Sequence, residues 1–257
     1  MRRFLIWKDF AIYSGPSFFT KRHSHFFAQL CIANGKELRL RGKNGIWRSY
    51  KAAFIPSGIS HETETADGHF TLILMDPVVF GSFFPERIPK EGDPAADIAD
   101  MISEKDIQFL LSTFESNPSN VKEEWFRILS KQGRAISGRE RNIINDVRIS
   151  DSIKLLSESE EDVSLSILSR KAGLSPSRFR HLFREETGIT FSGYKLWLKT
   201  QKAIFSLRDR LELTTAAYEG GFSDQAHFSR IFRRSFGISP SDFAKKPDRF
   251  HVRFFFS

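Results

Sequence analysis

The spacing of apolar residues changes partway along the chain. From about Arg3 to Val79 they fall at every second position in short bursts, as in Ala28, Leu30, Ile32 and Leu38, Leu40, separated by turns at Asn34-Gly35 and Lys43-Asn44-Gly45. Such alternation predicts half-buried strands in an antiparallel meander. The Pro/Gly-rich run FFPERIPKEGDPAAD then marks a long connection, after which the period lengthens. Ile107, Leu110, Leu111 and Phe114 form one helical stripe, and Val121, Trp125, Ile128 and Leu129 a second beyond Asn117-Pro118. Two amphipathic helices should therefore follow the sheet. Polar breaks at Gln132-Gly133 and Ser137-Gly138-Arg139 set a domain boundary, 1–138 against 139–257.

Past that boundary the pattern is helical throughout. Ser164 is placed to cap one helix, with Val163 and Leu168 as its hydrophobic staple. Ser175 caps the next, Pro176 suits the first helical position, and Gly188 ends it. A longer helix over 191–208 spans roughly 27 Å. A short helix from Thr214 to Gly220 and a helix from Asp224 to Phe236 complete the pattern.

Part of this pattern is a repeat. RFRHLFREETGIT from Arg178 overlays HFSRIFRRSFGIS from His227, pairing Phe179 with Phe228, Phe183 with Phe232, Arg184 with Arg233, Gly188 with Gly237 and Ile189 with Ile238. Each copy reads as a helix-turn-helix unit. Burying the phenylalanines turns Ser177, Arg180, His181 and Arg184 outward in one copy, and Ala226, Ser229, Arg230 and Arg233 in the other. Arginine on such a face can grip guanine through two hydrogen bonds, and small residues admit a thymine methyl. Two such helices on a rod of this length suit successive major grooves of one duplex.

Charge changes the weight of that reading. The chain of 257 residues carries a formal +8, yet residues 164–257 alone hold 17 Lys and Arg against 8 Asp and Glu, or +9. The basicity thus belongs to the repeated module, as expected for a polyanion binder. With 27% charged residues and no long apolar run, neither a transmembrane helix nor a signal peptide is expected. The single cysteine, Cys31, suits a reducing cytoplasm.

GLSPSRFRHLFREETGIT and GFSDQAHFSRIFRRSFGISPSDF resemble the C-terminal domain of the AraC/XylS family of bacterial transcription regulators, over about 151–243. The resemblance implies an α+β chain of two domains. The second is all-α, with two helix-turn-helix units on a long helix. It assigns base reading to Ser177, Arg180 and His181 in the first unit and to Gln225, Ala226, Ser229 and Arg230 in the second. Arg184 and Arg233 go to phosphates, as do the helix N-termini near Ser175 and Ser223. Its partners are promoter DNA, an unidentified small-molecule effector and, for an activator, RNA polymerase. Thr215-Ala216-Ala217 and Gly220 stand where the family has larger aliphatics, which predicts looser packing of that helix.

The first domain carries HSHFFAQ and IPSGISH. On a strand, His23, His25 and Gln29 share one face, and a turn at Pro56-x-Gly58 brings His61 toward it. Three imidazoles and an amide can hold Zn, Ni, Fe or Mn, or can line a ligand pocket through hydrogen bonds. The two segments are similar to the paired motifs of cupin barrels, with Gln29 for the usual Glu. This implies a cupin-like barrel that senses a ligand. The alternative is a cupin metalloenzyme or metal sensor with DNA binding secondary. Turnover would destroy a sensor's signal, so a regulator that is not an enzyme is expected. The stripe over 121–129 suits either a homodimer contact or packing within the domain.

Overall fold

The computed structural model describes residues 2–16, 20–35, 37–65, 69–80, 89–131, 144–159, 162–208, 212–236, 239–241 and 250–255. The first half is a run of strands: β1 (Arg2–Ile6), β2 (Phe10–Pro16), β3 (Thr20–His23), β4 (Ala28–Asn34), β5 (Leu38–Arg41), β6 (Trp47–Tyr50), β7 (Ala52–Ile55), β8 (His61–Thr65) and β9 (His69–Met75). The single turn α1 (Pro77–Phe80) and the short β10 (Ala96–Asp97) follow. They form two sheets, one ordered β10-β7-β4-β9-β2-β1 with β11 (Phe250–Phe254) at its edge, the other β3-β8-β5-β6.

Strand alternation sorts the core. Cys31, Ala53, Ile55, Phe70 and Leu72 of the larger sheet face Leu38, Leu40 and Tyr50 of the smaller. Their neighbours Leu30, Ile32, Phe54, Ile73 and Met75 point the other way, where α2 (Glu104–Ser116) and α3 (Val121–Lys131) cover them with Leu110, Phe114, Trp125 and Ile128. The larger sheet is therefore buried on both faces. α2 begins at a capping box, Ser103 accepting from the Asp106 amide while the Asp106 carboxylate accepts from Ser103 N–H. The expected boundary at 138 and the side chains of Ile107 and Leu129 lie outside the described residues.

The second half consists of α4 (Val147–Glu158), α5 (Leu165–Lys171), α6 (Pro176–Thr187), α7 (Phe191–Arg208), α8 (Leu213–Glu219) and α9 (Gln225–Phe236). Its start signals act as the sequence suggests. Ser164 accepts from the Ile167 amide, Ser175 from the Arg178 amide, and Gly188 closes α6 with φ +74°. α9 is capped by Asp224, whose carboxylate accepts from the His227 amide at 2.6 Å.

Two expectations need correction. The helical texture does not run to the end of the chain: β11 pairs in parallel with β1, Arg2 opposite Phe250 through Ile6 opposite Phe254. The Phe255 ring then stacks on Trp7 at 4.6 Å. Aromatic alternation in FHVRFFF outweighs the helical context once a free sheet edge is within reach. The second correction concerns α8. Ala216 and Ala217 are fully buried, and a Cβ on Gly220 would stand 2.5 Å from Ala203 Cβ and 2.7 Å from the Lys199 carbonyl. The small residues let α8 press against α7, so packing there is tighter than expected, not looser.

Gly220 has φ −71°, so a side chain there meets a space limit and no backbone strain. Gly220→Val is expected to lower stability by about 1–3 kcal/mol in urea denaturation of the full chain. An unchanged midpoint would contradict the close approach of α7 and α8.

Candidate nucleic-acid interface and histidine cluster

Each of the two outward helices is held by its own aromatic anchor. In α6, Phe179, Leu182 and Phe183 are buried, with Phe179 and Phe183 edge-on to Phe191 of α7 at 5.7 and 5.6 Å. In α9, Phe228 and Phe232 are buried, and Phe228 packs on Phe222 of the preceding turn at 5.3 Å. The opposite faces are open. Ser177, Arg180, His181 and Arg184 are all exposed on α6. Gln225, Ala226, Arg230 and Arg233 are exposed on α9, and Ser229 is half-buried.

Local contacts modify what these side chains can offer. His181 Nε2 leans back on Glu185 at 3.2 Å, with Arg178 3.8 Å from the same carboxylate. Gln225 accepts from the Thr214 hydroxyl at 2.7 Å, which ties α9 to α8 and leaves its amide N–H groups for a partner. The two helix N-termini also differ. The α6 end is capped by a neutral serine, whereas the Asp224 carboxylate already occupies the α9 end, with its pKa lowered chiefly by the His227 amide. An anion is better received at the first than at the second.

The histidines converge, though not along one strand. His23 ends β3, His25 lies beyond it in the connection to β4, and Gln29 is on β4. His61 opens β8 directly opposite His23 in the register, after the turn in which Gly58 takes φ +77°. The shared face inferred for one strand is thus assembled from two sheets. One ring nitrogen from each of the three histidines lies within 4.8 Å of the others. Each Nδ1 is 2.8–2.9 Å from a backbone carbonyl: Lys21 for His23, Phe27 for His25, Ile59 for His61. A carbonyl only accepts, so Nδ1 carries the proton and each Nε2 presents a lone pair.

Burial holds all three rings neutral, and repulsion from the neighbouring histidines adds to it at His25 and His61. The His25 pKa is lowered to about 3, that of His61 lies well below the usual value, and that of His23 is lowered as well. His61 Nε2 is buried and has no hydrogen-bond partner among the described residues. His25 Nε2 faces Gln29 Oε1 at 2.8 Å, while the Gln29 amide nitrogen is 2.9 Å from Cys31 Sγ. With His25 neutral, that 2.8 Å contact sets two acceptors against each other. Turning the amide over satisfies a metal-free site, with Gln29 donating to His25 and the thiol to Gln29. A cation satisfies the arrangement as it stands. Neutral imidazoles with an amide oxygen suit a borderline divalent metal, so these residues fit one.

The two layers meet along α7. Trp197 Nε1 donates to the buried Asp76 carboxylate at 2.8 Å, and Gln201 Nε2 donates to the Lys8 carbonyl. Phe27, two residues past His25, packs on Trp197 at 4.8 Å and on Phe236 at 5.3 Å. Two cavities lie at this junction. One of about 30 Å³ is enclosed by apolar side chains including Phe4, Ile204 and Phe232. The other, an open cleft of about 750 Å³, is bordered by Lys8, Val163, Lys199, Phe205 and Tyr218. Of these two, the cleft has the size of a small-molecule site. Sequence reasoning missed both the cleft and Arg234, whose Nη2 reaches Ser24 Oγ at 3.1 Å. The separation of 210 residues leaves no signal of that pair in the sequence.

This geometry defines a sheet-and-helix domain joined to a double helix-turn-helix. Comparison with known proteins agrees. Residues 168–246 match the helix-turn-helix domain family, and this region is an AraC-type domain. The arabinose operon regulatory protein of Salmonella typhimurium is 35% identical over 101 residues, 38% of this chain and 36% of that protein. The transcriptional activator RhaS of Escherichia coli is 34% identical over 91 residues, 35% of this chain and 33% of that protein. The matched stretch thus spans about a third of the length of these relatives. A crystal structure of an apo ToxT variant from Vibrio cholerae superposes with a TM-score of 0.57 at 11% identity, over 92% of this chain and 97% of that one. Unsaturated fatty acid-bound ToxT gives 0.55 at 14%, over 92% and 95%. The two-domain fold is therefore shared with ToxT.

The neutral histidines make stability depend on pH. Folded His25 stays neutral to about pH 3, whereas an unfolded imidazole takes its proton near 6.5. Stability is full above about 6.5 and falls as pH drops toward 3, by up to about 1.4 kcal/mol per unit for this residue. Denaturation of the full chain between pH 7.5 and 5, with a chelator present, is expected to show this decline, with a shallower slope in His25→Gln. Equal slopes would remove His25 as the cause.

Proposed function

We propose that the chain is a sequence-specific transcription regulator that binds double-stranded promoter DNA through α6 and α9 and is controlled through its N-terminal domain. The observation that carries this reading is the duplication of one outward basic face on a single strut. Ser177, Arg180 and His181 read bases in the first unit, and Gln225, Ala226, Ser229 and Arg230 in the second. Arg184 and Arg233 hold phosphates. Each arginine lies on an exposed face whose opposite side is locked by phenylalanine, which keeps the guanidinium groups directed at a groove.

The regulators it resembles in sequence support this class. We read the chain as a regulator and not an enzyme, because turnover of its effector would erase the signal. On this reading it acts in the cytoplasm, and among the described residues no helix is long and apolar enough to cross a membrane. On this reading a homodimer forms through one of the helices over 103–131, the alternative being that their apolar stripes serve only packing within the domain, and an activator also contacts RNA polymerase.

For the effector, ToxT taking an unsaturated fatty acid supports a small organic molecule. The orphaned Nε2 of His61 favours a second reading, a divalent metal held by His23, His25, His61 and Gln29. Bound there, the metal would supply a fixed positive charge between three strands and a loop, and the chain's part is to orient four donors and exclude water.

Two measurements test these readings. Fluorescence anisotropy with a duplex selected from a random-sequence pool is expected to show specific binding at 150 mM salt, and Arg180→Ala with Arg230→Ala to weaken it by at least about a hundredfold. Binding without sequence preference, or indifference to both substitutions, overturns the assignment. Mass spectrometry of the purified chain is expected to find about one metal ion per chain, lost in His23→Ala and in His61→Ala. A metal-free wild type after incubation with zinc and nickel removes the metal reading and leaves the DNA reading intact.

A further inference from the structure

The connection 24–27 touches more of the molecule than the one histidine it carries, His25. Ser24 lies between His23 and His25 and accepts from Arg234 on α9 at 3.1 Å. Phe26 sits where a side chain on Gly193 of α7 would be, only 2.7 Å from that Cβ position. Phe27 packs against both Trp197 of α7 and Phe236 of α9, and Phe236 continues to Phe232 at 4.6 Å, a core residue of the second unit. Four residues of one loop thus join the candidate metal site to the helix that presents Arg230 and Arg233.

We propose that Arg234 latches the second helix-turn-helix unit to the mouth of the histidine cluster, and that a divalent cation bound to the cluster releases the latch. This rests on the metal reading given above. The physical cause is like-charge repulsion. A guanidinium tolerated beside neutral imidazoles is repelled when a dication occupies their lone pairs, and because Arg234 is exposed the repulsion weakens as salt rises. Released, Arg234 leaves the Ser24 hydroxyl and α9 is freed to turn on α8 and meet its groove. Arg234 is a positioning residue: it ligates nothing and reads no base. Because linkage is reciprocal, DNA engagement by the second unit raises metal affinity by the same factor that metal raises DNA affinity.

The experiment uses the full chain with nickel and zinc as probes. Arg234→Met keeps the apolar stem and removes the charge; Arg234→Lys keeps the charge; Ser24→Ala removes the acceptor from the other domain. In titration calorimetry, Arg234→Met is expected to bind metal roughly tenfold tighter than wild type and Arg234→Lys to stay near it. In anisotropy with the selected duplex, metal is expected to tighten wild-type binding by about five- to tenfold. Ser24→Ala is expected to bind like the metal-loaded form with or without chelator. Wild-type metal affinity in Arg234→Met, or an undiminished metal response in Ser24→Ala, overturns the latch while the metal site stands. A wild type that takes no metal overturns both.

Discussion

The buried hydrogen bond from the Trp197 indole to the Asp76 carboxylate joins the two halves of this chain. Asp76 ends the last long strand of the large sheet and also accepts from the Val78 amide, so both of its oxygens are used. A carboxylate at 4% exposure is costly unless it is hydrogen-bonded, and α1 and α7 each supply a donor. The bond fixes the rotation of α7 against the sheet, and both helix-turn-helix units are built on α7. Its buried residues, from Phe191 through Trp197 and Ala203 to Leu207, cover more than half of its circumference. A helix so enclosed acts as a strut with three clients: the sheet, the first unit and the second unit.

The three clients are held by different chemistry. The first unit is fastened by aromatic edges, Phe179 and Phe183 against Phe191, which resist sliding. The second is fastened by close backbone approach, Gly220 against Ala203 and the Lys199 carbonyl, which tolerates no added atoms. The sheet adds a covering strand, β11, from the far end of the chain, and the polar bonds of Trp197 and Gln201. A rearrangement that leaves α7 in place can therefore reach the second unit through the edges of its packing, at Phe236 and Arg234, more readily than through its centre.

Much of this was legible beforehand because it is local. Serine caps, Pro176, Gly188 and the phenylalanine spacing are decided within one or two helical turns, and the same was true of the strand alternation that separates Leu30 from Cys31. The outward faces of α6 and α9 follow from those same periods. The histidine cluster was legible as a set of residues but not as a geometry. His25 leaves the strand that was expected to carry it, and the cluster closes only because β8 pairs with β3. The packing of α8 was misjudged because small side chains look like missing contacts until the partner helix is seen to occupy the space.

By itself, the sequence determined the elements, the repeat, the location of positive charge and the residue types available at each site. These depend on propensity, capping and period, all of which act over a few residues. The tertiary structure alone decided how the sites communicate: Trp197 with Asp76, β11 with β1, and Ser24 with Arg234. Each joins residues more than a hundred positions apart, and such pairs exist only once chain closure has been offset by burial of the whole junction.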